Sequence, residues 1–210
     1  MFFLSKEIAF PPAHLAGEHG LLAIGGDLSV ERLIFAYKKG VFPWFNEGEP
    51  IVWYTPNPRM VLFPEQLKIS KSMRKFLKSN SYRISFNENF EQVILNCKTV
   101  TRKGQEDTWI TDEMLLAYIR MHRAGYAKSF EVWDGQELIA GLYGVELDGV
   151  FCGESMFTKV SNCSKLAFIH MVEHYRDKGF KLIDCQVYNE HLSSLGAVEI
   201  SRDEFLNYLK

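Results

Sequence analysis

The 210-residue sequence predicts an α+β fold, and three observations carry that prediction. Three successive strand-like runs, KSFEVW, ELIAGLYGVEL and VFCGESMFT, are joined by Asp134-Gly135 and Asp148-Gly149, dipeptides that suit tight hairpins. Helical runs precede and follow this antiparallel meander instead of alternating with its strands. Roughly the first sixty residues are rich in proline, glycine and aromatics, which sets a small α/β lobe at 1–62 ahead of a larger domain at 63–210.

In the small lobe, SVERLIFAYKKG reads as a helix closed by Gly40, and VFPWF and PIVWYTPNPRMVLFP read as short strands and turns. Prolines 56, 58 and 64 mark its exit. The stretch that follows, QLKISKSMRKFLKSNSYRISFN, contains no acid. On a helix begun near Ser70, Lys71, Arg74, Lys75 and Lys78 line one side while Met73, Phe76 and Leu77 turn toward the core. Such a face is either simply solvated or meets a polyanion that relieves its self-repulsion. ENFEQVILNCKTV is an amphipathic helix and TRKGQEDTW a polar loop. TDEMLLAYIRMHRAG is a helix with acids in its first turn, where the dipole favours them, and Gly125 at its end. After the meander, NCSKLAFIHMVEHYRDKG is a helix stopped by Gly179, FKLIDCQV a strand, HLSSLGA a connection and AVEI a last strand. Ser201-Arg202-Asp203-Glu204 is a capping box that opens a final helix.

Composition narrows the function. A formal net charge of -2 excludes a globally basic nucleic-acid binder but not a local patch. No apolar run matches a bilayer span, and MFFLSKEIAFPP lacks the basic and apolar regions of a signal peptide, so a soluble cytoplasmic protein is expected. Cys97, Cys152, Cys163 and Cys185 are scattered without a CxxC pair and are expected as buried, reduced thiols. No glycine-rich phosphate loop stands at a strand-to-helix turn, and the stretch that acetyl-CoA enzymes use for pyrophosphate is absent, so no nucleotide cofactor is expected. His170-Met171-Val172-Glu173-His174 matches the H-x-x-E-H pattern of one metallopeptidase class. Both histidines are expected on an exposed face away from Phe168, Met171 and Tyr175, with no evident third ligand, so no metal is expected.

Two stretches carry candidate chemistry. Phe168, Met171 and Tyr175 recur at helical spacing and serve either as core or as the wall of a pocket, which the small residues of AGLYG and FCGES would permit. In LIDCQVYN, strand alternation puts Leu182, Asp184 and Gln186 on one face, so an acid and an amide stand together on a run that is otherwise apolar.

The runs GLLAIGGDLS, AYKKGVFPWF, NPRMVLFPE, TWIT, EVW, GLYGV, FCGESMFTKVSNCSK, LIDCQVYNEHLSSLGA and EISRDEFLNYL together resemble the bacterial leucyl/phenylalanyl-tRNA-protein transferases, in the family's order and over nearly the whole chain. Thr158, Cys163 and Asn57 depart from its usual residues. The resemblance implies a small N-terminal lobe followed by a domain similar to the GCN5-related N-acyltransferases. It implies transfer of leucine or phenylalanine, and less readily methionine, from aminoacyl-tRNA to the α-amino group of proteins beginning with Arg or Lys, which marks them for degradation. No cofactor and no metal are implied, and a monomer is expected. The implied catalytic pair is Asp184 and Gln186; Gln186 is expected to orient the attacking amine, and Asp184 to fix Gln186 and favour the positive charge that develops on nitrogen, so that both groups meet one amine. Leu142, Phe151, Phe168, Met171, Tyr175 and Trp44 are implied to line the aminoacyl pocket, with Trp109 as a wall or adenosine contact. Glu154 is implied to hold the amino group of the transferred residue, and either it or Asp184 to meet the acceptor's Arg or Lys. The basic helix face of Lys71, Arg74, Lys75 and Lys78 is implied to meet acceptor-stem phosphates.

Overall fold

The computed structural model describes residues 2–100 and 109–210; the expected polar loop TRKGQEDTW lies outside the described residues up to its final Trp109. Four short strands, β1 (Phe2–Leu4), β2 (Leu21–Gly25), β3 (Phe42–Pro43) and β4 (Val52–Tyr54), form one sheet in the order β1-β2-β4-β3. Helix α1 (Val30–Lys38) belongs to this lobe. The Ser29 side chain accepts the Arg32 backbone N–H at its start, and Leu33, Ala36 and Tyr37 are buried along one face. The chain leaves α1 through Gly40 at φ +71°, where an added Cβ would lie 2.6 Å from Leu206 Cδ2.

The larger sheet is assembled from β5 (Arg59–Leu62), β6 (Arg83–Phe86), β7 (Ala127–Asp134), β8 (Glu137–Leu147), β9 (Val150–Thr158), β10 (Leu182–Gln186) and β11 (Val198–Ile200), in the order β11-β5-β10-β9-β8-β7-β6. The expected meander is β7-β8-β9. The structure makes three corrections to the expected elements. Residues 59–62, read as the end of the small lobe, pair as β5 with both β10 and β11 and so belong to the large sheet. Residues 83–86, read only as the tail of the basic stretch, add β6 to the meander's edge. Helix α6 (Glu190–Ser194) occupies the expected connection, started by the Asn189 side chain accepting the Leu192 N–H.

Helices α2 (Lys71–Ser79), α3 (Phe90–Thr99), α4 (Asp112–Arg123), α5 (Cys163–Asp177) and α7 (Arg202–Asn207) complete the fold. The α+β class expected from the sequence is therefore what the chain adopts. Alternation along β10 divides the core in two: Leu182 packs with Tyr37, Trp53, Tyr118 and Val145, while Ile183 packs with Leu142, Phe168, Met171 and Tyr175. The first core joins the small lobe to α3 and α4, and the second lies under α5. Among the described residues no helix is long and apolar enough to cross a membrane.

One departure from regular pairing positions the site. β9 and β10 run parallel and pair only at Leu182↔Val150, Ile183↔Phe151 and Asp184↔Cys152. Beyond Asp184, β10 bulges, so that Asp184 faces Val61 and Gln186 faces the adjacent Met60 of β5. β9 meanwhile continues to Thr158 alongside β8. The two strands part there.

Candidate active site

A cavity of about 450 Å³ opens where β9 and β10 separate. Leu142 of β8 and Phe168 and Met171 of α5 supply apolar wall, and Trp44 and Trp109 also border it. Five of the aromatic and aliphatic side chains implied by the resemblance thus meet around one space. Phe151 and Tyr175 do not. They stack on each other in the core with ring centroids 4.6 Å apart, and the Tyr175 hydroxyl donates to Glu146 Oε2 at 2.9 Å. Tyr175 points nearly the same way as Phe168 but lies two turns, about 10 Å, further along α5, so Phe168 and Met171 reach the cavity while Tyr175 reaches the sheet interior.

Glu154 and Gln186 stand at the polar end of the cavity. The Gln186 side-chain Nε2 donates to Glu154 Oε1 at 2.8 Å. Tyr37, from α1, donates its hydroxyl to the same oxygen at 2.7 Å, and Tyr118, from α4, donates to Oε2 at 3.0 Å. The two tyrosine hydroxyl oxygens also touch; with one proton each, they can share a hydrogen bond only when one of them accepts from a protonated Glu154 instead of donating to it. Burial in this enclosure raises the Glu154 carboxyl to about 7, against the opposing pull of the Tyr37 and Tyr118 hydrogen bonds. Both phenols are themselves held well above their ordinary range, first by burial and then by the Glu154 charge.

Asp184 corrects the expectation that acid and amide together face a substrate amine. It borders the cavity but has no solvent exposure. Its Oδ1 accepts Arg59 Nε at 2.8 Å and its Oδ2 accepts Arg59 Nη2 at 2.6 Å. Oδ1 also accepts the backbone N–H of Gln186 at 2.9 Å, so the contact runs to the main chain and not to the side-chain amide. Gln186 itself has φ +64°, a left-handed conformation that an L side chain rarely adopts. The Asp184 carboxylate therefore holds the bend that presents the amide to Glu154.

The basic face forms as expected, and none of its four residues lines the cavity. Ser70 caps α2 by accepting the Met73 N–H at 3.1 Å, Met73 is buried, and Phe76 and Leu77 pack on the core. Lys71, Arg74, Lys75 and Lys78 are all exposed, and among the described residues none of the four is ion-paired with a carboxylate.

The histidine motif departs from expectation on one side. His174 is not on an open face: its ring lies 4.5 Å from that of Phe86 and 5.3 Å from that of Phe130, and burial lowers its pKa. His170 lies 3.8 Å from Glu173. Among the described residues no group of three or more His, Cys, Asp or Glu side chains is placed to hold a metal ion. The four cysteines are free thiols, three buried and Cys185 partly so, at the cavity wall.

Comparison with known proteins decides what this arrangement belongs to. Residues 61–210 match the family described as "Leucyl/phenylalanyl-tRNA protein transferase", and residues 26–57 match that family's N-terminal domain. A leucyl/phenylalanyl-tRNA--protein transferase of Flavobacterium johnsoniae is 56% identical over 210 residues, which is 100% of this chain and 99% of that one. One from Christiangramia forsetii is 54% identical over 100% of both chains. The chain belongs to the leucyl/phenylalanyl-tRNA protein transferase family. It is thus an aminoacyltransferase. Among solved structures, a GCN5-related N-acetyltransferase from Kribbella flavida is similar with a TM-score of 0.42 and 10% identity, over 80% of this chain and 60% of that one.

Around this cavity, sequence reasoning missed Arg59, Tyr37 and Tyr118. Arg59 had a signal: an acid in the middle of an apolar strand demands a buried cation, and RMVLF is a strand-like run that carries one. The tyrosines had none, because a tyrosine on the buried face of a helix looks the same whether it packs or donates.

Proposed function

We propose that the chain transfers leucine or phenylalanine, and less readily methionine, from aminoacyl-tRNA to the α-amino group of proteins beginning with Arg or Lys. In this reading it acts as a cytoplasmic monomer and its product is a chain marked for degradation. The observation that carries the reading is an apolar cavity whose polar end is the Gln186–Glu154 pair. A leucyl or phenylalanyl side chain fits against Leu142, Phe168 and Met171, and unbranched Met171 can repack around either.

The reaction is aminolysis of an ester. The acceptor nitrogen forms a bond to the aminoacyl carbonyl carbon, the bond from that carbon to the terminal ribose oxygen breaks, and the proton shed by nitrogen ends on the ribose hydroxyl. An α-amine of pKa about 7.7–8.0 is already roughly one-tenth neutral at pH 7, so no strong base is required. Because Gln186 Nε2 is engaged with Glu154, its carbonyl oxygen is the group left to accept a hydrogen bond from the incoming amine and aim its lone pair. Placing amine and ester side by side contributes on the order of 7–11 kcal/mol.

Glu154 is the carboxylate for a substrate cation, since both Asp184 oxygens are taken by Arg59. An ionised carboxylate has about four acceptor positions, of which Tyr37, Tyr118 and Gln186 fill all but one. Trp44 and Trp109 offer flat surfaces for the terminal adenosine. Lys71, Arg74, Lys75 and Lys78 hold acceptor-stem phosphates without reading sequence.

The test mixes the purified chain with radiolabelled leucyl-tRNA and proteins beginning with Arg, with Lys or with a blocked residue, and counts label in acid-precipitable protein. Label in the first two and none in the third is expected. Equal label in all three, or none in any, ends the reading.

A further inference from the structure

Arg59 is where four parts of the molecule meet. It sits on β5 with 1% exposure, and its Nε and Nη2 form a fork onto the two oxygens of Asp184 on β10. Its remaining Nη1 donates to the Gly40 carbonyl at 3.2 Å, at the end of α1 in the small lobe. The guanidinium carbon lies 4.9 Å from the ring of Phe42 and 4.5 Å from that of Phe205. Phe42 belongs to β3 and borders the cavity; Phe205 belongs to α7. A planar cation between two rings, with all three nitrogens engaged, has its rotation and its tilt both fixed.

What it fixes is one bond from the chemistry. Asp184 Oδ1 holds the Gln186 N–H at the position where the backbone turns left-handed. A non-glycine residue in that conformation costs on the order of 1–3 kcal/mol and persists only where its surroundings impose it. A carboxylate free to rotate would not impose it. Stability alone is a poor reason for such a pair, because well-packed apolar residues of similar volume commonly serve a buried site as well or better than two desolvated charges.

We propose that Arg59 is a positioning residue for the transfer reaction: through the Asp184 carboxylate it locks the strained Gln186 backbone, so that the Gln186 amide is aimed before either substrate arrives. The inference rests on the transfer activity proposed above. It also gives α7 and β3 a part in the site, as the two sides of the clamp that hold Arg59 flat. Arg59 touches no substrate.

Two variants of the full chain test this. Arg59→Lys keeps the charge beside Asp184 but loses the fork, since one ammonium cannot serve both oxygens in a plane. The double variant Arg59→Met, Asp184→Leu removes both buried charges together, so that neither is left uncompensated. Single-turnover transfer from leucyl-tRNA to an Arg-starting protein should fall about 100-fold in both, the scale on which a small misplacement of a reacting group is felt. KM for leucyl-tRNA should stay within about threefold, which separates aiming from binding. In Arg59→Lys, hydrogen exchange at the Gln186 backbone amide should speed up about tenfold while the β8 amides stay as protected as in the parent. A parental kcat in either variant, a loss that appears in KM instead of kcat, or unchanged exchange at Gln186 overturns the proposal. If the parent chain itself moves no leucine, the proposed function fails, and the positioning of Gln186 is then decided by the exchange measurement alone.

Discussion

The Gln186 side chain donates to Glu154 across 2.8 Å, and the two residues sit on strands that have ceased to pair with each other. A side-chain bond thus replaces the missing main-chain ladder at the point where the sheet opens. Its acceptor is a carboxyl that titrates near neutrality, so the bond is sensitive to proton concentration in a way that an ordinary ladder bond is not.

That sensitivity gives the first prediction. Burial raises Glu154 from 4.5 to about 7, so between those values the folded chain binds a proton that the unfolded chain has released. Its contribution to stability is fully present below pH 4.5 and is lost as pH rises through about 7. At about 1.4 kcal/mol for each pH unit between the two values, the loss is on the order of 3 kcal/mol at most. Urea unfolding of the parent and of Glu154→Gln at pH 5 and pH 8 isolates this contribution: the parent should lose stability relative to the variant across the interval. A constant difference between the two would show that the carboxyl does not titrate there.

Pocket size should be tunable without unfolding the protein. Met171 is buried and borders the cavity, and Met171→Leu conserves volume, so a cost below about 1.5 kcal/mol is expected. The ratio of transfer from leucyl-tRNA to that from phenylalanyl-tRNA should change by no more than about tenfold to a hundredfold, since a methylene in an apolar site is worth about 1–3 kcal/mol. Competition between the two charged tRNAs reads this directly. An unaltered ratio in both Met171→Leu and Phe168→Leu would move the side-chain pocket elsewhere.

For the basic helix, replacing Lys71, Arg74, Lys75 and Lys78 with Ala should leave the melting temperature nearly unchanged, because all four are exposed and none holds a carboxylate among the described residues. Binding to charged tRNA should weaken, and the slope of log K against log salt should flatten by about 0.7–0.9 for each phosphate that is no longer neutralised. A filter-binding series at increasing salt measures it. An identical slope would remove this face from the tRNA interface.

Gly40 and Gly48 form a matched pair for the last prediction. Both have positive φ, +71° and +76°, but a Cβ at Gly40 meets Leu206 at 2.6 Å whereas nothing lies within 4 Å at Gly48. Gly48→Ala should therefore cost only the backbone strain, about 1 kcal/mol, and Gly40→Ala more, because the Leu206 side chain must move aside with the Phe205 ring already 3.2 Å away. Equal denaturation midpoints for the two variants would mean that these side chains of α7 do not crowd the end of α1 in solution.

The parts of this molecule that were legible in sequence are those decided locally. Asp134-Gly135 and Asp148-Gly149 announce the hairpins of the meander, Ser70 and Ser201 announce the helix starts they cap, and Gly40, Gly125 and Gly179 announce where helices stop. The pocket wall was half legible, because the spacing of Phe168, Met171 and Tyr175 fixes a stripe but not how far along it the cavity extends. What was hidden is long-range. Asp184 meets Arg59 across 125 residues, and Glu154 draws in Tyr37 from 117 residues away. No spacing rule reports such pairs. Strand alternation also misled at Gln186, since it assumes regular pairing and a bulge of one residue cancels it.

The stacking of Phe205 on Arg59 ties the helix that carries it to the cavity wall. Phe205 is fully buried, so trimming its ring would leave the guanidinium flanked by Phe42 alone with a void on the other side. A sequence change in α7, which does not line the cavity, would thus be felt at Asp184.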